Sequence, residues 1–287
     1  IEKDGRTALP MRLDPNGSTF VVFREPAPAR HAVALEFTDS APSASSVPVP
    51  PVELERGADG KLFARVSKNV SCTVAFSDKT AATHGPLRPK LPAPVTLDGP
   101  WQVVFPPNLG APAAATFERL LSWPDHAEAG IRFFSGTATY TKTFELPAAL
   151  CGQGLELTLD LGRVEVIAQA TLNGQALPAL WKPPFRLRVD GVARSGPNTL
   201  EVRVTNLWPN RMIGDAALPD DVAWQPGGKG SALPAVWPEW LVKGRPRPSG
   251  RIAFCTRKDV YGKDDPLLPS GLLGPVTVSA AQRVTVE

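Results

Sequence analysis

Leu155, Leu157, Leu159 and Leu161 alternate with Glu156, Thr158 and Asp160. A period of two puts the leucines on one face of a strand and the polar residues on the other. The same period returns at Phe185, Leu187 and Val189, with Arg186 and Arg188 between them. It appears again at Leu200, Val202 and Val204, interleaved with Glu201, Arg203 and Thr205. Turn chemistry lies between these runs. Asn173-Gly174 follows the apolar stretch Val164 to Leu172, and Asn-Gly accepts the positive φ angles of a two-residue hairpin. Gly196-Pro197-Asn198 predicts the next turn. Upstream, Thr19 to Arg24 (TFVVFR) and Val70 to Phe76 (VSCTVAF) predict short strands, with Asp14-Pro15-Asn16-Gly17 as a turn before the first. Only Ala115 to Ser122 and Trp237 to Lys243 are expected as short helical turns.

Composition strengthens the all-β expectation. The 32 prolines and 24 glycines are scattered among short apolar runs, which disfavours long helices. At 287 residues, with 43% hydrophobic content, the chain can bury a sizeable core and is long enough for two domains. The Pro/Ser-rich stretch Ala41 to Pro51 predicts a loop, and Pro86 to Pro94 predicts a linker. The expected organisation is a small β unit over residues 1–92, followed by a jelly-roll β-sandwich over 93–287 with a long Pro/Trp-rich loop.

That loop runs from Asn206 to Pro269 and breaks the strand rhythm. It holds four of the seven tryptophans: Trp208, Trp224, Trp237 and Trp240. Irregular segments of this length inside compact domains usually carry function. The tryptophans either form a satellite core beneath the loop or face a sugar or a partner domain.

Several functions find no support. The net charge is +3 with both signs mixed along the chain, and no basic stripe with interleaved aromatics suggests nucleic-acid binding. No apolar run approaches the roughly 18 residues that span a membrane. Cys72, Cys151 and Cys255 are widely spaced in no metal-ligand pattern and read as buried thiols, with one disulfide open to an exported protein. The chain begins at Ile1 without a leader segment and reads as a fragment or processed product. His31, His84 and His126 have neither a nucleophile elbow nor a paired cysteine to work with. The loop carboxylates Asp215, Asp220, Asp221, Glu239, Asp259, Asp264 and Asp265 are the candidates for glycoside chemistry, which needs two carboxyl groups about 5 to 10 Å apart. Loop acids are ordinarily solvated or turn-forming, so no catalytic residue is assigned. No cofactor is assigned either. Jelly-roll modules often hold a structural calcium on carbonyl and carboxylate oxygens, but no residue set in the sequence singles out its site.

Four stretches together carry a resemblance: FFSGTATYTKTFELP (Phe133 to Pro147), TLNGQALPALWKPPFRLRV (Thr171 to Val189), GPNTLEVRVTNLWPNRMIGD (Gly196 to Asp215) and DDPLLPSGLLGPVTV (Asp264 to Val278). Their order resembles the galactose-binding-like, sugar-binding-type sandwich of family 2 glycoside hydrolases. The fuller match is similar to the C-terminal part of α-L-rhamnosidases of glycoside hydrolase family 106. LPMRLDPNGSTFVVFRE (Leu9 to Glu25) and LDGPWQVVF (Leu97 to Phe105) also look like that family's segments following its catalytic barrel. The resemblance implies a large, secreted or periplasmic bacterial enzyme whose (β/α)₈-type barrel supplies the catalytic carboxylates and a calcium ion. This chain has no strand–helix alternation and no room for such a barrel of about 200 residues. The barrel of a parent protein is therefore the expected partner, with a rhamnose-containing glycan as ligand.

Sugars offer an apolar face that stacks on indole rings and hydroxyls that take planar polar partners. Trp208, Asn210, Arg211 and Asp215 supply those chemical types within eight residues. They are the candidate carbohydrate-binding residues, with Trp181 of the WKPPF crossover beside them. By analogy with family 2 enzymes, the loop from Asn206 to Ser270 would reach toward the catalytic pocket. The alternative is structural: Trp208-Pro209 packs across the sandwich end, Arg211 pairs with Asp215, and Trp181 packs at an edge.

Overall fold

The computed structural model describes residues 2–3, 6–7, 13, 18–24, 26–27, 29–38, 52–78, 90–226, 233–254 and 260–286. In chain order the first strands are β1 (Glu2–Lys3), β2 (Arg6–Thr7), β3 (Ala32–Thr38), β4 (Val52–Arg56), β5 (Leu62–Val66) and β6 (Ser71–Phe76). Then come β7 (Val95–Thr96), β8 (Trp101–Val104), β9 (Ala114–Phe117), helix α1 (Ala129–Arg132), β10 (Thr137–Leu146), β11 (Leu155–Asp160) and β12 (Arg163–Glu165). β13 (Ile167–Leu172), β14 (Gln175–Ala176), β15 (Arg186–Arg188) and β16 (Gly196–Thr205) precede helices α2 (Pro209–Ala216) and α3 (Glu239–Val242). β17 (Gly271–Gly274) and β18 (Thr277–Thr285) close the chain.

Two antiparallel sheets make the all-β sandwich. The first has the order β14-β13-β16-β10-β8-β9, and the second β15-β11-β18-β5-β4 with β7 also on β18. From β10 onward the chain crosses repeatedly between the two sheets, as a jelly roll requires, with β13 and β14 a hairpin within the first and β12 pairing β17 apart from both. The leucine alternation explains the inward face: Leu157, Leu159, Leu200, Val202 and Val204 are all buried between the sheets. Each such side chain contributes roughly 1.5–3 kcal/mol. Trp101, Phe117, Trp123, Phe134 and Tyr140 fill one end with edge-to-face contacts, such as Trp123 on Phe134 at 5.2 Å. β18 serves both ends of its sheet: Thr277–Asp160 through Gln282–Leu155 pair it with β11, while Gln282 to Thr285 pair with Val66 to Phe63 of β5. A smaller core of Val52, Leu62, Val66, Val74, Phe76 and Val286 lies beyond that second pairing.

The Asn173-Gly174 turn joins β13 to β14 with both residues at positive φ, +51° and +81°, as a type I′ hairpin requires. Two local expectations are overturned. Ala114–Phe117 is a strand, since pairing with β8 from Trp101↔Phe117 to Val104↔Ala114 outweighs the helix propensity of the alanines. Thr19 to Arg24 joins no strand, and Phe20 to Phe23 are exposed. Val70 to Phe76 contains β6, and Trp237 to Lys243 contains α3. The Asp14 to Gly17 turn, the Ala41 to Pro51 loop and residues 86–89 of the expected linker lie outside the described residues. So do Cys255 and the side chain of Cys72, while the half-buried Cys151 is a free thiol pushed up in pKa by burial. Among the described residues, no helix is long and apolar enough to cross a membrane.

Candidate functional site

The long loop leaves the sandwich at Asn206, after β16, and returns at Ser270, before β17. One buried polar network ties both stems together. Asn206 Oδ1 accepts from Gly136 N at 2.9 Å, and its Nδ2 donates to Phe134 O at 2.9 Å and Ser270 Oγ at 3.1 Å. Ser270 N donates to Ser122 Oγ at 3.1 Å. Two residues on, Leu272 N donates to the Tyr140 hydroxyl at 3.2 Å, which also accepts from Trp123 Nε1 at 2.6 Å. Gly271, at φ +98°, passes so close to this pair that an ideal Cβ would lie 2.6 Å from Trp123 Nε1 and 2.7 Å from Tyr140 Oη.

Helix α2, absent from the sequence expectation, is nucleated by Pro209 in its first turn. Its inward face carries three of the candidate residues. Asn210 exchanges two hydrogen bonds with the backbone of Leu268, 2.7 Å to its oxygen and 2.8 Å from its nitrogen. Arg211 and Asp215, one helical turn apart, are both buried, with Nη2 and Oδ1 2.9 Å apart. Asp215 Oδ1 and Arg211 Nε lack aligned hydrogen-bond partners, so this contact is mainly Coulombic. The other Asp215 oxygen accepts from Ile252 N at 2.9 Å and Ala253 N at 2.7 Å. A short buried carboxylate thereby clamps the returning limb of the loop onto α2.

Farther out, the Arg247 guanidinium binds both Asp221 oxygens at 2.8 Å, and Ser249 Oγ donates to the same carboxylate at 2.6 Å. The Arg247 hydrogen bonds hold the Asp221 carboxyl at about 2, below its ordinary range. Arg247 also lies over the Trp240 ring, 4.9 Å from its centroid. Trp224, Trp237 and Trp240 converge on Phe254, with centroids 6.2, 6.1 and 5.9 Å away. Three of the loop's four tryptophans therefore join one aromatic cluster, half-buried at Trp224, Trp240 and Phe254 and exposed at Trp237. Phe254, its hub, carried no sequence signal because a lone phenylalanine has no periodic neighbours to mark it.

Several large apolar side chains of the loop are exposed among its charged ones. Trp208 is 58% exposed, Trp237 52%, Val236 76% and Val242 69%, with Leu207, Leu233, Leu241 and Leu268 also exposed. Trp181, on its crossover, is 68% exposed. Of the five candidates, the structure thus groups Asn210, Arg211 and Asp215 inside α2 and leaves Trp208 and Trp181 open to solvent.

The described loop acids mostly hold structure. Asp220 accepts from Trp224 Nε1 at 3.0 Å, Glu239 pairs with Lys243 at 2.8 Å, and Asp265 accepts from Gly262 N at 2.9 Å. Asp264 is exposed, and Asp259 lies outside the described residues. His126 stacks on Phe117 at 5.0 Å and accepts from Glu128 N, His31 donates its backbone N–H to Ser77 Oγ, and His84 is outside the described residues. Among the described residues, no three His, Cys, Asp or Glu side chains gather as a metal-ligand group.

No family model matches the chain. A Formosa agariphila protein provisionally named a β-glucuronidase is 42% identical over 207 residues, covering 72% of this chain and 17% of that protein. The structure of a rhamnosidase from Novosphingobium sp. PP1Y superposes with a TM-score of 0.52 at 27% identity, covering 86% of this chain and 25% of the rhamnosidase. A Ruminococcus gnavus β-glucuronidase structure reaches a TM-score of 0.42 at 18% identity, over 68% of this chain and 30% of that one. The chain therefore spans a quarter or less of the first two proteins. Its fold is glycoside hydrolase-related.

Proposed function

We propose that this chain is the non-catalytic C-terminal region of an α-L-rhamnosidase-like glycoside hydrolase of family 106, exported to the periplasm or secreted. Its loop between Asn206 and Ser270 packs on the catalytic barrel of the parent protein and presents Trp208 toward the glycan. The observation that carries this reading is a segregation within the loop. Its strongest polar groups, Asn210, Arg211, Asp215 and Arg247, are spent on the chain's own backbone and carboxylates. Its large apolar side chains, Trp208, Val236, Trp237 and Val242, face outward. A free-standing lectin site would show the opposite arrangement, with polar groups converging on an open concavity. Exposed apolar surface on one ordered segment instead fits a protein partner. The similar proteins are more than three times as long as this chain, which leaves room for such a partner in the same polypeptide.

The test is association. The chain, mixed with the separately produced barrel of its parent, forms a stable complex, and Val236→Asp with Val242→Asp abolishes it while circular dichroism stays native. Complex formation that ignores both substitutions would overturn the docking face. Because the similar proteins are named for two different sugars, the reconstituted complex is assayed on aryl α-L-rhamnoside and aryl β-D-glucuronide. The proposal predicts turnover of the rhamnoside.

A further inference from the structure

One strong strand signal has no part in either the sandwich or the loop. Residues 19–23 (TFVVF) are an unbroken run of β-branched and aromatic side chains, about the length of an ordinary strand. The run joins no strand, helix or turn, and among the described residues none of its backbone groups bonds to another segment. In a strand, Phe20 and Val22 would point to one side and Val21 and Phe23 to the other. Both sides are bare: Phe20 is 92% exposed, Phe23 is 76% exposed, and the two valines between them are exposed as well.

A run apolar on both sides matches a strand covered on both faces, whereas a strand with one wet face alternates. The chain's own large sheets are of the second kind. Gln102, Thr116 and Arg203 are exposed on the first, and Glu53 and Arg188 on the second. Adding the run to an edge of either would leave one phenylalanine in water. Two copies of the run paired with each other would satisfy their backbones, but a two-stranded ribbon still leaves both faces bare. The similar proteins are more than three times as long as this chain, which leaves room for another sheet in the same polypeptide. We infer that residues 19–23 complete a sheet elsewhere in the parent polypeptide, adding as a strand to an open edge that lies between two apolar layers. Backbone N–H and C=O groups supply the pairing, and Phe20 and Phe23 each fill a pocket in one layer. This rests on the proposal that the chain is part of a larger hydrolase, but not on where the Asn206 to Ser270 loop docks.

The experiment is maleimide labelling of Val21→Cys, Val22→Cys and Val236→Cys, made singly in the isolated chain and in the full parent enzyme, and read site by site by peptide mass spectrometry. All three thiols react readily in the isolated chain. In the parent, Val21→Cys and Val22→Cys both react at least about 100-fold more slowly, as expected of positions reached only by local opening. Amide exchange of the unsubstituted proteins reads the backbone, fast across residues 19–24 in the isolated chain and protected in the parent. Reaction of either valine variant in the parent as fast as in the isolated chain would overturn the inference, because one bare face is enough to contradict it. Protection in the isolated chain that grows with its own concentration would overturn it too, by making a second copy the partner. Val236→Cys separates the two readings: protected while Val21→Cys or Val22→Cys reacts, it leaves the docking loop standing and removes only this inference. Reactive while both valine variants are protected, it removes only the docking loop.

Discussion

Replacing Gly271 by alanine attacks the point where the long loop rejoins the sandwich. Two costs can be worked separately. At φ +98° an L residue is strained by roughly 1–2 kcal/mol. The new methyl would also lie within 2.9 Å of Trp123 and Tyr140 ring-system atoms, forcing apart a buried hydrogen bond of 2.6 Å. Leaving those polar atoms unpaired costs roughly a further 1–3 kcal/mol. The total loss is about 2–5 kcal/mol. Gly191 provides the control, because it sits at φ +72° with nothing within 4 Å of an added Cβ. Gly191→Ala therefore carries only the backbone cost, about 1–2 kcal/mol. Urea unfolding followed by circular dichroism reads both variants as shifts of midpoint at constant slope. Equal losses in the two would refute the reasoning, since they would show that the Trp123–Tyr140 pair yields to the methyl at no cost.

Other perturbations follow the same logic. Asp215→Ala strands a buried guanidinium and two backbone N–H groups, so the loop loses about 3–5 kcal/mol. Hydrogen exchange should then accelerate at Ile252 and Ala253 while Val202 and Val204 in the sandwich stay protected, and unchanged exchange at Ile252 would contradict the clamp. Asp221 has a folded pKa of about 2, below its unfolded value, so its stabilisation is present above about pH 4 and is lost as pH falls toward 2. The stability gap between the native chain and Asp221→Asn should therefore be roughly 2 kcal/mol near neutrality and close on acidification, whereas a gap constant with pH would contradict the ion pair's role.

What could be read from the residues, and what could not, has a physical pattern. The leucine alternation of β11 and the Asn173-Gly174 hairpin were legible because period and turn type depend on local sterics. Ala115 to Ser122 misled because local helix propensity is weak beside an available edge on β8. α2 escaped notice because Gly214 and Asp215 lower its propensity, and its stability comes from burying Asn210, Ile213 and Asp215 against distant segments. At the candidate site the residue types were legible but their direction was not. Trp208 and Arg211 are three residues apart, yet one faces solvent and the other faces the core, and only the tertiary partners Ser135, Ile252 and Leu268 decide that.

The proposed division of labour is tested most directly by activity of the purified chain alone. Incubated with aryl α-L-rhamnoside and aryl β-D-glucuronide, it should release no aryl alcohol above the uncatalysed rate. Turnover that co-purifies with the chain and saturates with substrate would contradict the non-catalytic role at once.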